Sequence, residues 1–322
     1  MAKKKTINKD KLSELIFSGA KQITPDTTIE KLDAMYFNAS ALKRQPAPLY
    51  RMDFGENRMY YRFDEDNEPL FYTSVTTLIK KTLPTSPHLI TWLVSKGGDG
   101  KDEAHERAVY GTFLHGEIGS LLINGTYDLD TLGDRLKIFL KREQMSDDKI
   151  KWSEELKKDM LSFAQFAIDR QVEPLAIELC LYHPTDEYAG AIDLVANLNF
   201  DKKRVTAIID IKSGRKGFYE SHEIQLRAYK EMWNIHFPDT PVDYVFNWSP
   251  KDYRTATPTY NFKDQTDSKS AKKLPFLVDL AKIEAEKRDN TALIIKGLIS
   301  LKNGISANIV EKSFNDIIKE NK

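Results

Sequence analysis

The sequence is poor in cysteine, and this excludes several kinds of site. Cys180 is the only cysteine among 322 residues, so no disulfide can form within the chain. A four-cysteine zinc site and a four-cysteine iron–sulfur cluster are excluded for the same reason. Any metal bound here must therefore depend mainly on oxygen or imidazole ligands.

The chain also lacks a long apolar segment. No stretch approaches the run of about 20 apolar residues that a membrane-spanning helix requires. The first residues, Met-Ala-Lys-Lys-Lys, lack the apolar segment of a secretory signal. We therefore expect a cytoplasmic protein with no membrane partner.

Net charge is absent as well, because 48 basic and 48 acidic side chains cancel. This balance argues against a protein that coats nucleic acid through net charge alone. It does not exclude a site that gathers carboxylates and offsets them with a local basic groove. No Gly-x-x-x-x-Gly-Lys-[Ser/Thr] loop occurs, so a separate protein must supply any ATP-driven unwinding.

Turn residues and apolar spacing divide the chain into three expected parts. Residues 1–100 are expected to form a helical and β-hairpin extension, residues 101–262 a core, and residues 263–322 a C-terminal helical extension. The first part is predicted to hold helices over residues 11–20 and 28–41 and a hairpin within residues 50–79. Two C-terminal helical faces are predicted, Leu274, Leu277, Val278 and Ala281 on one and Val310, Phe314, Ile317 and Ile318 on the other.

In the core the apolar period switches repeatedly between helix and strand, which predicts an α+β fold of the α/β/α-like kind. Helices are predicted over residues 102–123, 152–170 and 218–236, and strands over residues 175–181, 188–198, 204–211 and 242–248. His115 lies at the edge of the apolar stripe of the first helix, where an imidazole can point into a cleft. In the first strand Leu175, Ile177, Leu179 and Leu181 are predicted to share one face, with Glu178 on the other.

Two carboxylates and a lysine on neighbouring strands indicate a metal site. Asp210 and Lys212 project from the same face of one strand, because side chains alternate along a strand. Asp193, on the preceding strand, can lie opposite them if the two strands are antiparallel. Two hard oxygen ligands would then reach one Mg²⁺ or Mn²⁺, and the ammonium of Lys212 would lie beside an attacking water.

Each of these elements has an ordinary structural explanation when it is taken alone. Asp-x-Lys is most often a surface ion pair, and Gly-x-x-Asp is often only a turn that leads into a strand. His115 alone is more often a core-boundary histidine than a ligand, and Gln225 with Tyr229 is more often a polar pair on a helix. Their order and spacing favour a shared function.

In order and spacing, residues 105–250 resemble the PD-(D/E)XK nuclease superfamily, and within it the RecB-like and phage-exonuclease-like branch. The matching motifs are Gly111-Thr112-Phe113-Leu114-His115, Gly190-x-x-Asp193, Asp210-Ile211-Lys212 and Gln225-x-x-x-Tyr229. Ser74-Val75-Thr76-Thr77, followed by Trp92, is similar to the segment that leads into this core in phage members. The resemblance implies a restriction-endonuclease-like core with a central mixed β-sheet flanked by helices.

The resemblance also implies roles for individual residues. His115, Asp193, Asp210 and the carbonyl of Ile211 would hold Mg²⁺, with Mn²⁺ able to substitute, and Lys212 would be the catalytic base or would orient the water. Gln225 and Tyr229 would support the lysine, and Glu178 would assist from the first strand. The residues expected to contact nucleic acid are Ser213, Arg227 and Tyr229.

The function expected from this resemblance is that of a Mg²⁺-dependent deoxyribonuclease, favoured as an exonuclease in phage or bacterial replication, recombination or repair. DNA would be its substrate, and a recombinase, a single-strand annealing protein or a separate helicase could be partners, in the bacterial host cytoplasm if the chain is phage-encoded. Three alternatives stay open. They are a structure-selective or restriction-type endonuclease, a non-catalytic DNA-end binding subunit, and an interaction protein in which the motifs are accidental.

Overall fold

The computed structural model of the chain describes residues 43, 46–54, 57–215, 217–286, 291–300 and 304–313. The helices predicted over residues 11–20 and 28–41 lie outside these residues. No helix in the described ranges is long and apolar enough to span a membrane.

The described strands form one large mixed sheet and one separate hairpin. The eight strands of the large sheet are β1 (Tyr50–Phe54), β2 (Asn57–Phe63), β3 (Pro69–Ser74), β4 (Glu173–Tyr182), β5 (Tyr188–Phe200), β6 (Lys203–Ile211), β7 (Tyr244–Pro250) and β8 (Tyr260–Asp264). Their order is β1-β2-β3-β5-β6-β7-β8, and β4 also pairs with β5. The β3–β5 and β6–β7 pairs are parallel, and the other pairs are antiparallel.

Helices cover both faces of this sheet, and the predicted α+β fold with a central mixed sheet flanked by helices is confirmed. The helices are α1 (Val75–Thr82), α2 (Pro87–Lys96), α3 (Gly100–Asn124), α4 (Leu132–Arg142), α5 (Trp152–Arg170), α6 (Glu220–His236) and α7 (Leu274–Glu286). Buried residues of α3, α4 and α5 form one apolar core with the sheet. Buried residues of α1, α6 and α7 form a second core on the other face. The sheet is therefore the middle of three layers.

The regular parts of the core were predicted from apolar spacing, but α4 was not. Its Leu132, Leu136 and Leu140 recur at four-residue intervals and are almost completely buried. This is the spacing of a helix whose one face packs on a core. The predicted hairpin over residues 50–79 is instead a three-stranded meander that ends at Ser74. The side chain of Ser74 accepts the N–H of Thr77 and so starts α1 at Val75.

The prediction of a fully helical C-terminal part is wrong. After α7, strands β9 (Thr291–Ser300) and β10 (Gly304–Ser313) pair as an antiparallel hairpin, with Val310 opposite Ile294. Isoleucine recurs in both segments, with a valine in the second, which favours strands over helices, and Asn303-Gly304 is a sequence typical of hairpin turns. Phe314, Ile317 and Ile318 lie outside the described residues.

Candidate metal centre

The candidate centre lies along one edge of β5, at the point where the neighbouring strand changes from β3 to β6. β4 occupies the other edge of β5, so β3 and β6 must share this one. β3 pairs only with Tyr188 and Ala189, and the ladder with β6 starts at Leu194 opposite Ile209. Residues 190–193 therefore have no described strand beside them on this edge. Asp193 is in this gap, and its Oδ2 accepts the backbone N–H of Ile211 at 2.7 Å.

His115 reaches this gap from α3. Leu114, Ile118 and Leu122 hold the helix on the sheet by packing in the core, and His115, next to Leu114, is thereby held at the end of β6. Its Nε2 lies 2.9 Å from the carbonyl oxygen of Ile211. Its Nδ1 lies 3.4 Å from Glu178 Oε1 and 3.7 Å from Asp193 Oδ1.

Glu178 joins the group because β4 is irregular at this residue. Its φ of 50° is left-handed, which is uncommon for a residue other than glycine. The prediction that four apolar side chains of this strand share one face is wrong for Ile177. Ile177 packs in the core with α3, whereas Leu175, Leu179 and Leu181 pack in the core with α6. A register shift between Pro174 and Ala176 and the left-handed Glu178 both interrupt the alternation, and strand periodicity could not predict either. As a result the Glu178 carboxylate lies beside His115.

Three potential ligands converge in this way. One ligand atom from each of His115, Glu178 and Asp193 lies within 4.8 Å of the others. Burial, together with the nearby Asp210 and Glu178 carboxylates, outweighs the lowering effect of His115 and Lys212 and raises the pKa of Asp193 to about 7. Burial lowers the pKa of His115, but Asp193 and Glu178 outweigh this and the pKa is raised to about 9. The group therefore retains protons near neutral pH, and a divalent cation would displace them.

Asp210 is next to this group and is completely buried. Its Oδ1 accepts a hydrogen bond from Lys212 Nζ at 2.8 Å, and its Oδ2 accepts one from Asn247 Nδ2 at 2.7 Å. Lys212 Nζ also donates to Gln225 Oε1 at 3.3 Å, and Gln225 Nε2 donates to the Tyr229 hydroxyl at 2.7 Å. The predicted lysine, glutamine and tyrosine thus form one connected network on the α6 side of the sheet.

Two glycines of the motifs allow close approach between elements. A Cβ atom at Gly190 would lie only 2.7 Å from Cε1 of Tyr229, so the tyrosine ring packs directly on the β5 backbone. A Cβ atom at Gly111 would lie 3.1 Å from Ser213 Oγ, which places the segment after Lys212 against α3. Both contacts explain why these motif positions hold glycine.

Not every predicted residue is brought to the centre. The Arg227 side chain is half exposed and pairs with Glu231 at 2.7 Å along α6. Among the described residues, no hydrogen bond or ion pair joins it to the carboxylates of the candidate centre. Ser213 lies beside Gly111 of α3. Their expected contacts with nucleic acid stay predictions.

Sequence reasoning missed two residues next to Asp210 and Lys212. Asn247 is a polar residue between Phe246 and Trp248 in β7, which was a usable signal. His222 lies one helical turn before Gln225, and burial together with the Lys212 charge lowers its pKa to about 4. Its Nδ1 accepts the backbone N–H of Tyr219 at 3.3 Å, so the ring is held at the start of α6.

The donor set fits a hard divalent cation. Of the predicted ligands, His115 and Asp193 converge together with Glu178, and the Ile211 carbonyl lies 2.9 Å from His115 Nε2, whereas Asp210 is not one of the three residues that converge. Oxygen donors with one imidazole suit Mg²⁺ or Mn²⁺, whereas a thiolate site would select softer metals.

No family model matches the chain, and no curated protein sequence matches it. The resemblance to nucleases therefore rests on the four sequence motifs alone.

Proposed function

We propose that this chain is a Mg²⁺-dependent deoxyribonuclease with a restriction-endonuclease-like core, in which Mn²⁺ can replace Mg²⁺. The observation that supports this most directly is the convergence of three potential ligands, His115, Glu178 and Asp193, beside the ion pair of Lys212 with the buried Asp210. A partly exposed lysine held between a carboxylate and an amide oxygen, next to clustered carboxylates, has the composition needed for phosphodiester hydrolysis.

In this proposal His115, Asp193, Asp210 and the Ile211 carbonyl hold the cation, and Glu178 assists them. The cation would polarise the scissile phosphate and lower the pKa of a bound water. Asp193 is kept in place by the Ile211 N–H at 2.7 Å, so its second oxygen is left to face the ion.

Lys212 acts on the water and on the phosphate. Its ammonium lies 2.8 Å from Asp210 and 3.3 Å from Gln225, so two acceptors orient it. An ammonium in this position would favour the deprotonated form of the nucleophile and would offset negative charge on the phosphate in the transition state. The Tyr229 hydroxyl accepts a hydrogen bond of 2.7 Å from Gln225 Nε2 and so orients this amide. Its role is therefore to hold Gln225 in position beside Lys212.

The proposal is tested by comparing the wild-type protein with Lys212→Ala on linear and closed circular duplex DNA, each with Mg²⁺, Mn²⁺ or EDTA. We expect metal-dependent degradation of linear DNA, and loss of at least about 100-fold in rate in the variant, as is typical when a proton-transfer group is removed. Lys157→Ala is a matched control, because Lys157 pairs with Glu154 at 2.9 Å on the surface of α5.

The substrates separate the possible outcomes. Degradation of linear DNA alone supports an exonuclease, whereas cutting of the circle supports an endonuclease that uses the same residues. Equal activity of Lys212→Ala and wild type would contradict the proposed site, and no cleavage by wild type with either metal would contradict the proposed activity.

A further inference from the structure

Three buried polar side chains form a chain that leads away from the candidate centre. Asp210 and Asn247 are completely buried, and Gln265 is 4% exposed. Asn247 Nδ2 donates to Asp210 Oδ2 at 2.7 Å, and Gln265 Nε2 donates to Asn247 Oδ1 at 3.0 Å. The chain crosses from β6 to β7 and then to the residue that follows β8.

The direction of these hydrogen bonds is set by Asp210. An ionised carboxylate can only accept, so Asn247 must present its NH₂ group to Asp210 and its carbonyl oxygen to Gln265. That oxygen in turn requires the NH₂ group of Gln265. Both amide orientations therefore follow from the carboxylate.

The backbone makes these contacts possible. β6 and β7 are parallel with Asp210 opposite Asn247, so the two side chains project from neighbouring positions on the same face. The backbone N–H of Gln265 donates to the Val245 carbonyl at 2.9 Å, which extends the pairing of β7 with β8 by one residue. Gln265 is thus held by the backbone before its side chain reaches Asn247.

Two buried amides in this position need an explanation. Asn247 lies between Phe246 and Trp248, which are fully buried, and burying an amide is unfavourable unless it is fully hydrogen-bonded. An amide satisfies one oxygen of Asp210 without cancelling its negative charge, whereas a second lysine or an arginine would reduce the attraction of the site for a cation. Each carboxylate oxygen has a further lone pair that can face an ion.

We propose that Asn247, held by Gln265, is a positioning residue that fixes the orientation of the Asp210 carboxylate toward a divalent cation. The inference rests on the proposed function in one respect, namely that Asp210 is a ligand. Lys212 holds Oδ1 and Asn247 holds Oδ2, so rotation of the carboxylate requires that one hydrogen bond be broken.

The test is calorimetric titration of the full chain with Mn²⁺, a readout that does not depend on turnover. We expect Asn247→Leu to bind Mn²⁺ about 10- to 100-fold more weakly, as is typical when a residue that orients a metal ligand is removed. Gln265→Leu is expected to weaken binding less. Because Gln265 acts only through Asn247, the double variant should bind no more weakly than Asn247→Leu alone.

Ser249→Ala is the matched control. Ser249 is on the same strand and is equally buried, but its Oγ accepts a hydrogen bond from Asn261 Nδ2 at 3.2 Å and is not part of the chain from Asp210 to Gln265. We expect this variant to lose some stability and to keep the wild-type Mn²⁺ affinity, which separates a positioning role from a general effect on folding.

Wild-type affinity in folded Asn247→Leu would overturn the proposal. If that variant does not fold, Gln265→Leu decides, and unchanged Mn²⁺ affinity in it would overturn the proposal as well. A wild-type protein that binds Mn²⁺ and cleaves no DNA would contradict the nuclease function, while the affinities of the variants would still decide the role of Asn247. A wild-type protein that binds no Mn²⁺ would contradict both.

Discussion

At the scale of single residues, the site depends on glycine at a position where any larger residue would clash, as well as on its polar side chains. Tyr229 is buried and donates nothing to the carboxylates itself, yet it holds Gln225, which accepts from Lys212. Its ring can pack there only because residue 190 is glycine. The position of the Lys212 ammonium therefore depends on Gly190 of β5.

Gly190→Ala is expected to disturb this coupling. The added methyl group would lie 2.7 Å from Tyr229 Cε1, so the buried ring must move and its hydrogen bond with Gln225 must lengthen or break. We expect a loss of about 1–3 kcal/mol in the free energy of unfolding, measured by urea denaturation, together with slower DNA cleavage. Gly133→Ala in α4 is the control, because nothing lies within 4 Å of the added atom, and it should be neutral or slightly stabilising. Equal effects of the two substitutions would contradict the steric explanation.

At the scale of elements, a cluster of ion pairs holds the segment after β6 against α5 and α3. Arg215 pairs with Glu155 and Asp159 of α5 and, at 3.0 Å, with Asp252. The Tyr110 hydroxyl on α3 donates to Asp159 at 2.6 Å. The segment that carries Ser213 is thus held against the helix that carries His115.

Arg215→Met should be strongly destabilising, because it would leave the buried Asp159 carboxylate without its cation. We expect a decrease of about 3 kcal/mol or more in the free energy of unfolding, as is typical for breaking one side of a buried ion pair. Arg204→Met is the comparison, since Arg204 pairs with Glu173 on the surface at 3.0 Å and surface pairs contribute roughly 0–1 kcal/mol. Urea denaturation of both variants tests this, and a smaller effect at Arg215 than at Arg204 would be inconsistent with it.

Elements with a clear period were predictable from the sequence, and elements that depend on tertiary context were not. The apolar spacing of α3 and α5 and the alternation in β6 predicted their type and placed His115, Asp210 and Lys212. The C-terminal hairpin was mistaken for helix because short isoleucine-rich runs fit both periods. Glu178 was expected at the site from the resemblance, but no residue pattern indicates the left-handed φ with which it is held there, and Asn247 required knowledge that β6 and β7 are parallel and in register.

At the scale of the whole molecule, the centre links stability to pH and to metal. Burial and neighbouring carboxylates raise the pKa of Asp193 to about 7, above its ordinary value of 3.8. Burial lowers the pKa of His115, but the net effect of Asp193 and Glu178 raises it from 6.5 to about 9. The folded protein therefore binds protons more tightly than the unfolded chain does at both groups.

The metal-free protein should accordingly lose stability as pH rises. The contribution of Asp193 is present below about pH 4 and is lost as pH rises to about 7, and that of His115 is present below about pH 6.5 and is lost as pH rises to about 9. Mn²⁺ needs deprotonated ligands, so the stabilisation that it adds should increase over the same range, reaching about 2.7 kcal/mol at a free concentration 100 times its Kd. Urea denaturation at several pH values, with and without Mn²⁺, measures both trends.

His115→Gln provides the control for this linkage. It removes the imidazole and with it the His115 contribution, while the Asp193 contribution should persist and shift to higher pH, because the His115 charge no longer lowers the pKa of Asp193. A Mn²⁺ effect that does not vary with pH would contradict the assignment of these groups as ligands.

The gap in the edge of β5 also has a consequence for the order in which the protein is synthesised. The groups around it come from α3, β4, β5 and β6 in turn, and the amide chain behind Asp210 ends at Gln265, beyond β8. A nascent chain leaves the ribosome from its N-terminus, so α3 and β4 emerge without the strands that complete the centre. The candidate site cannot assemble until all eight strands of the large sheet have been translated, so any chemistry that depends on it begins only after β8 and Gln265 have left the ribosome.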